Sequence, residues 1–135
     1  MKRIGLAAIA LMGLSLLAGC TGGRTVFAYT IATGGDLHRG KALIESYGCG
    51  SCHSIPGIRN AAGLVGPPLL LFGRRTYIAG EVPNTPENLV AWLRNPKAIE
   101  QGTAMPNLGL TEQQARDIAS YLYTLRSRDW NGGAK

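Results

Sequence analysis

Charge is sparse in this chain: charged residues make up 16% of its 135 positions. That is too few for an extended, charge-rich disordered protein. Histidine is scarcer still. Two residues, His38 and His53, cannot fill a three-histidine zinc site, which excludes much metallohydrolase chemistry. Three cysteines, an odd number, cannot form a framework built of disulfides alone. Long alternating apolar and polar runs are missing, so strands are expected to be minor. No internal repeat is visible. What remains suits one domain of ordinary size. With 19 Gly and 7 Pro, it should consist of short helices and much loop.

The N-terminus reads as a targeting segment. Lys2 and Arg3 give a positive start, and Ile4 to Ala18 is apolar but short for a membrane span. The segment ends in Leu17-Ala18-Gly19-Cys20, which resembles the lipobox of bacterial lipoproteins. The resemblance implies that residues 1–19 are removed as a signal peptide and that Cys20 carries a lipid. An uncleaved anchor helix and an ordinary signal with an incidental cysteine are the alternatives, and each still exports the domain to an oxidising compartment. Removal of Lys2 and Arg3 lowers the formal charge from +6 to +4. The arginines are scattered and no aromatic platform is interleaved with them, so nucleic acid is not an expected partner. A mild positive face could help dock an acidic partner, although generic solubility explains it equally simply.

Residues 20–35 are rich in Thr and Gly, with an apolar insert at Val26–Tyr29. They read as a flexible tether from the lipid to the domain. The domain itself is expected over 36–128, followed by a short tail, 129–135. Asp36 can cap a helix over Leu37–Tyr47, which Gly48 would stop. Ser54–Leu71, punctuated by prolines and glycines, reads as loop. Thr85-Pro86-Glu87 opens a second helix that ends before Pro96. Thr111 and Gln114 form a capping box for a third, reaching about Arg126. The expected fold is all-α, with three main helices and long loops.

Cys49-Gly50-Ser51-Cys52-His53 matches Cys-x-x-Cys-His, the c-type haem attachment signal. Two thiols at this spacing can each add to one haem vinyl group, and the next residue brings its imidazole to the iron. Half of a zinc site would need a second ligand pair, and none exists. A dithiol redox site would want a strand–helix–strand context, and none is visible. The cysteines then balance: Cys49 and Cys52 for one haem c, Cys20 for lipid. His53 is the proximal ligand candidate. Met105 is the lone methionine after the signal segment, and it lies in a loop beside Pro106, an odd place for core filler. It is the candidate sixth ligand. His38 reads as a solvated residue.

In this order the motifs resemble a class I cytochrome c over roughly Asp36–Arg126. The resemblance implies a small cytochrome c fold wrapped around one covalently bound haem. Gly66-Pro67-Pro68-Leu69 resembles the stretch whose first proline carbonyl accepts the proton of the ligating imidazole, which assigns that role to Pro67. Phe72-Gly73-Arg74-Arg75-Thr76 resembles the segment that brings an arginine to a haem propionate, with Arg74 the closer match and Arg75 the second. Trp92 resembles the tryptophan whose indole donates to a propionate. Gly40, with Tyr121 or Leu122, resembles the crossing of first and last helices. The Tyr-Gly-Cys and Trp-Leu-Arg-Asn-Pro runs look more like bacterial cytochromes associated with respiratory oxidases.

The implied function is one-electron carriage by a membrane-tethered, exported protein, without enzymatic turnover or a small-molecule substrate. Its implied partners are an oxidase or a quinol-oxidising complex. A haem relay subunit fixed in such a complex, or a haem enzyme or gas sensor in which Met105 leaves the iron, are the rival readings.

Overall fold

Helix ends leave backbone groups without partners, and the sequence supplies side chains for them at three starts. The computed structural model describes Ala28 and residues 32–127. The expected signal segment 1–19, Cys20, most of the tether and the tail 129–135 lie outside the described residues. Helix α1 is Leu37–Ser46; Asp36 caps it by accepting from the Arg39 N–H at 2.8 Å, and Gly48 ends it with φ +68°. Helix α2 is Pro86–Arg94, capped by Thr85, with proline in its first turn. Pro96 then opens a four-residue helix, α3 (Pro96–Ile99), which the sequence analysis left out. Helix α4 is Glu112–Thr124, and its capping box is complete: Thr111 Oγ1 accepts from the Gln114 N–H at 3.2 Å, and Gln114 Oε1 accepts from the Thr111 N–H at 2.9 Å. It stops two residues short of the expected Arg126. There the chain turns so that the Leu125 carbonyl accepts from the Gly73 N–H at 3.1 Å.

Among the described residues, strand structure is limited to one antiparallel pair, β1 (Tyr77–Ile78) and β2 (Val82–Pro83), in the register Tyr77↔Pro83 and Ile78↔Val82. The long segment between α1 and β1 contains only 3-10 turns at Cys49–Ser51 and Phe72–Arg74 and a bridge between Ser54 and Ala62. The fold is thus mostly helical, as expected. Its core joins Ile44 of α1, Leu89 and Leu93 of α2, and Ile118 and Leu122 of α4, with Ile55 and Phe72 from the loops. Phe72 meets Tyr123 edge to face, 6.3 Å between ring centres.

Helices α1 and α4 cross at Gly40. A Cβ there would stand 2.0 Å from the Asp117 carbonyl oxygen and 3.1 Å from the Ile118 nitrogen, so only glycine permits the approach. The expected partners, Tyr121 or Leu122, are one turn too far along. The Asp117 carboxylate explains the register. It accepts from the Asp36 N–H (2.7 Å), from Arg39 Nε and Nη2 (2.9 and 3.0 Å) and from Gln113 Nε2 (3.0 Å). Those donors draw the start of α1 onto the first turns of α4.

The domain also begins earlier than expected. Thr33, assigned to the tether, is fully buried. Its hydroxyl bonds Ser120, its carbonyl accepts from Arg116 Nη1 at 2.9 Å, and Gly35 packs against the Arg116 backbone. The packed chain therefore starts by Thr33, ahead of the boundary at residue 36.

Burial opposes ionisation of Asp117, but its hydrogen bonds to Arg39, Asp36 and Gln113 outweigh burial and hold the carboxyl below its ordinary 3.8. Its stabilisation is complete above about pH 4 and is lost as the pH falls through the lower folded value. Asp117→Asn should cost about 1.5–3 kcal/mol at pH 7. In denaturant melts, the gap between wild type and variant should narrow below about pH 4. A gap that does not change with pH would remove the carboxylate from this role.

Candidate functional site

The helices and loops enclose a cavity of about 640 Å³, inside the range of about 300–1,000 Å³ usual for cofactor sites. Cys49, Cys52 and His53 form one wall. Met105, with Thr103 and Leu108, lies on the loop between α3 and α4 that forms another. Trp92 of α2 and Ile118 and Leu122 of α4 also line it. Sequence-distant candidates are thus gathered around one largely apolar space.

The 3-10 turn at Cys49–Ser51 folds the motif back on itself. The His53 N–H donates to the Cys49 carbonyl at 3.0 Å, and Ser51 Oγ donates to the Gly48 carbonyl at 2.7 Å. Cys49 and Cys52 are not joined by a disulfide. Burial pushes the Cys49 thiol up, and the neighbouring Cys52 adds to the rise against an opposing backbone hydrogen bond. A dithiol redox site needs the reverse, a thiol shifted towards thiolate.

His53 Nδ1 lies 2.8 Å from the Pro67 carbonyl oxygen, so the ring presents Nε2 to the cavity as a donor-free nitrogen. Gly66 makes that approach possible. A Cβ at Gly66 would stand 2.3 Å from His53 Cε1 and 2.6 Å from Nδ1. The Pro67 carbonyl and Gly66 together hold the ring in one orientation. Met105 sits in a loop without helical structure, yet its backbone N–H donates to Thr103 Oγ1 at 3.2 Å, and the Gly109 N–H to Asn107 Oδ1 at 2.9 Å. These local turns fix the loop.

The two arginine candidates separate. Arg75 lines the cavity, bonds the Pro68 carbonyl through Nη2 and holds its guanidinium 5.4 Å above the Phe72 ring. Burial lowers its proton affinity from the usual value. Arg74, the closer sequence match, is exposed and does not reach the cavity. The Phe72–Arg74 turn sets this order, since it swings Arg74 outward while Arg75 leaves the turn in extended conformation.

Asn84 is a residue the sequence analysis missed. Its Nδ2 donates to the Phe72 and Arg75 carbonyls (3.2 and 3.1 Å), and its Oδ1 accepts from Tyr123 at 3.0 Å. It thereby pins the segment that carries Arg75. The Tyr123 hydroxyl is pushed up to about 12, by burial and then by the Glu87 charge, so it stays a donor. Nothing in a single sequence distinguishes this asparagine from one more helix-flanking polar residue. Gly66 did carry a signal, its place ahead of two prolines.

The model for the family "Cytochrome c" matches residues 37–126, well over half of the chain. The chain belongs to the cytochrome c family. As a cytochrome c domain it takes covalently bound haem c, with Cys49 and Cys52 as its paired thiols, and its role is electron transfer. The chain is 36% identical over 90 residues to the cytochrome c oxidase subunit 2 of Alkalihalophilus pseudofirmus, covering 66% of this chain and 25% of that protein. It is 32% identical over 93 residues to the cytochrome c oxidase subunit 2 of Bacillus subtilis, covering 66% and 26%. The chain thus spans about a quarter of the length of these relatives.

Gly66→Ala should force the imidazole or the Pro67 loop to move, at about 1–3 kcal/mol. The expected result is a lower yield of haem-loaded protein and a lower Tm. An unchanged yield and Tm would mean that the ring does not need this contact.

Proposed function

We propose that this cytochrome is a membrane-tethered, exported one-electron carrier of a bacterial respiratory chain, with His53 and Met105 as the axial pair of a single haem. The observation that carries the reading is convergence: His53 and Met105, 52 positions apart in sequence, line the same cavity as the two cysteines. When bound, haem supplies one-electron chemistry at its iron. The chain's residues set the conditions for it. The Pro67 carbonyl fixes the His53 tautomer and raises its basicity. The Met105 thioether favours the ferrous state and raises the potential. With His53 and Met105 both on the iron, no position would be open to a substrate. Arg75 is the residue proposed to face a propionate, Trp92 a second donor on that side. The apolar lining excludes water and keeps the surroundings the same in both redox states.

Among the described residues no helix is long and apolar enough to cross a membrane. Membrane attachment is proposed to run through the lipid on Cys20, after removal of residues 1–19, with the following residues as tether; the Leu17-Ala18-Gly19-Cys20 run supports this reading. The likeness to oxidase subunits supports a membrane oxidase as electron partner. It equally supports a haem relay fixed within such a complex, which would co-purify with large membrane subunits instead of exchanging electrons as a free protein.

Optical spectra of haem-loaded protein test the ligation. Ferric protein should be low-spin with the weak sulfur-to-iron charge-transfer band, and ferrous protein should not react with carbon monoxide. Met105→Ala should lose the band and bind carbon monoxide. High-spin wild-type protein that binds carbon monoxide would take Met105 off the iron. For the anchor, Cys20→Ser should move the protein from the membrane fraction to the soluble fraction on cell lysis. If it stays in the membrane, the lipid on Cys20 is not what holds it.

A further inference from the structure

Pro67 and Pro68 stand side by side in the loop that orients His53. Neither has an N–H, so this dipeptide cannot be held through backbone donors of its own. What it offers is two carbonyls, and two side chains take them. His53 Nδ1–H donates to the Pro67 carbonyl at 2.8 Å, and Arg75 Nη2 donates to the Pro68 carbonyl. The N–H groups on either side are tied as well: Gly66 to the Cys52 carbonyl and Leu69 to the Ser54 carbonyl, both at 2.8 Å. Of the bonds that fix this loop, one therefore depends on where Arg75 stands.

Arg75 is fixed in its turn from behind. Asn84, between β2 and α2, clasps both ends of the Phe72–Arg75 segment. Its Nδ2 donates to the Phe72 and Arg75 carbonyls at 3.2 and 3.1 Å, and its backbone N–H donates to the Thr76 carbonyl at 2.9 Å. A carbonyl only accepts, so the amide nitrogen must face this way. That leaves Oδ1 to the Tyr123 hydroxyl, at 3.0 Å. Tyr123 also meets the Phe72 ring edge to face, and its carbonyl lies 2.5 Å from where a Cβ at Gly73 would stand. The end of α4 thus holds the asparagine, and the asparagine holds the segment. Phe72 is left beneath the Arg75 guanidinium, 5.4 Å from ring centre to carbon. Neither Asn84 nor Tyr123 lines the cavity, whereas Arg75, Pro67 and His53 all do.

We propose that Asn84 and Tyr123 are positioning residues for the axial imidazole: they hold Arg75 against Pro68, and Arg75 holds the adjoining Pro67 carbonyl in line with His53 Nδ1–H. The inference rests on the axial pair proposed above and extends it to a chain of side chains running from the end of α4 to the ring. Loosening at Asn84 or Tyr123 is then felt at the His53 N–H more than in the rest of the core. Effects along the chain do not add, because residues that act through one shared partner are coupled.

Solvent exchange of the His53 Nδ1–H, followed by NMR in haem-loaded ferrous protein, tests the chain. The wild type must first show the low-spin, carbon-monoxide-inert spectrum. If it does not, the axial pair falls and takes the proposal with it; with the spectrum intact, only the proposal is at stake. The reference is the Ala119 amide, fully buried within α4, whose exchange reads general loss of stability. Relative to it, Asn84→Ala should speed exchange of the His53 proton about tenfold, the worth of a lost hydrogen bond. Tyr123→Phe keeps a ring against Phe72 and should speed it by a smaller factor. Both effects should vanish where Arg75→Gln is already present, and Arg74→Gln should have none. Exchange that rises only in step with the Ala119 amide would overturn the proposal and leave the two residues a structural role alone. So would effects of Asn84→Ala and Arg75→Gln that simply add.

Discussion

One buried carboxylate holds the first and last helices in register. Asp117, 2% exposed, collects four hydrogen bonds from Asp36, Arg39 and Gln113. A buried charge is tolerated only when it is this fully paired. The pairing in turn permits no other crossing: Gly40 must lie against the Asp117 backbone, where no Cβ fits. What α1 and α4 bring to the cavity follows from that contact. Ile44 of α1 and Ile118 and Leu122 of α4 line the same space because the helices cross at Gly40.

The rest of the lining comes from loops, and the chemistry explains why. A flat cofactor must be approached from both faces and along its edges, at angles that no single helix offers. The Cys49–His53 turn, the Gly66–Pro67 strand of loop and the Thr103–Leu108 loop each bring one group to a fixed place, held by short-range hydrogen bonds. The apolar residues lining the cavity, among them Leu89, Leu93 and Phe72, also belong to the hydrophobic core. The fold and its haem are therefore parts of one core.

Local signals were legible in the sequence, and contacts between distant segments were not. Asp36, Thr85 and the Thr111–Gln114 box announced the three helix starts because a cap needs only residues within one turn. Cys49, Cys52 and His53 were legible for the same reason, since their chemistry dictates their spacing. The helix crossing was misplaced towards Tyr121 or Leu122 because the register depends on a carboxylate meeting donors about 80 residues away. Thr33 was assigned to the tether because threonine and glycine look alike in a linker and in a strap packed on a helix. The burial of its hydroxyl against Ser120 depends on a partner 87 positions along the chain. The choice between Arg74 and Arg75 turned on a single 3-10 turn, which adjacent identical residues cannot reveal.

That strap also fixes where the chain enters the domain. On α4, Arg116 and Ser120 meet Thr33, while Ile118 and Leu122 face the cavity. Residues two apart on a helix point about 200° from each other. Thr33, the first of the described strap residues with a partner on α4, is therefore held on the side of α4 away from the cavity. Tethering raises the local concentration of membrane partners without new contacts. A lipid on Cys20, as proposed, would do so without using the α4 residues that line the cavity, because Thr33 meets the other face of that helix.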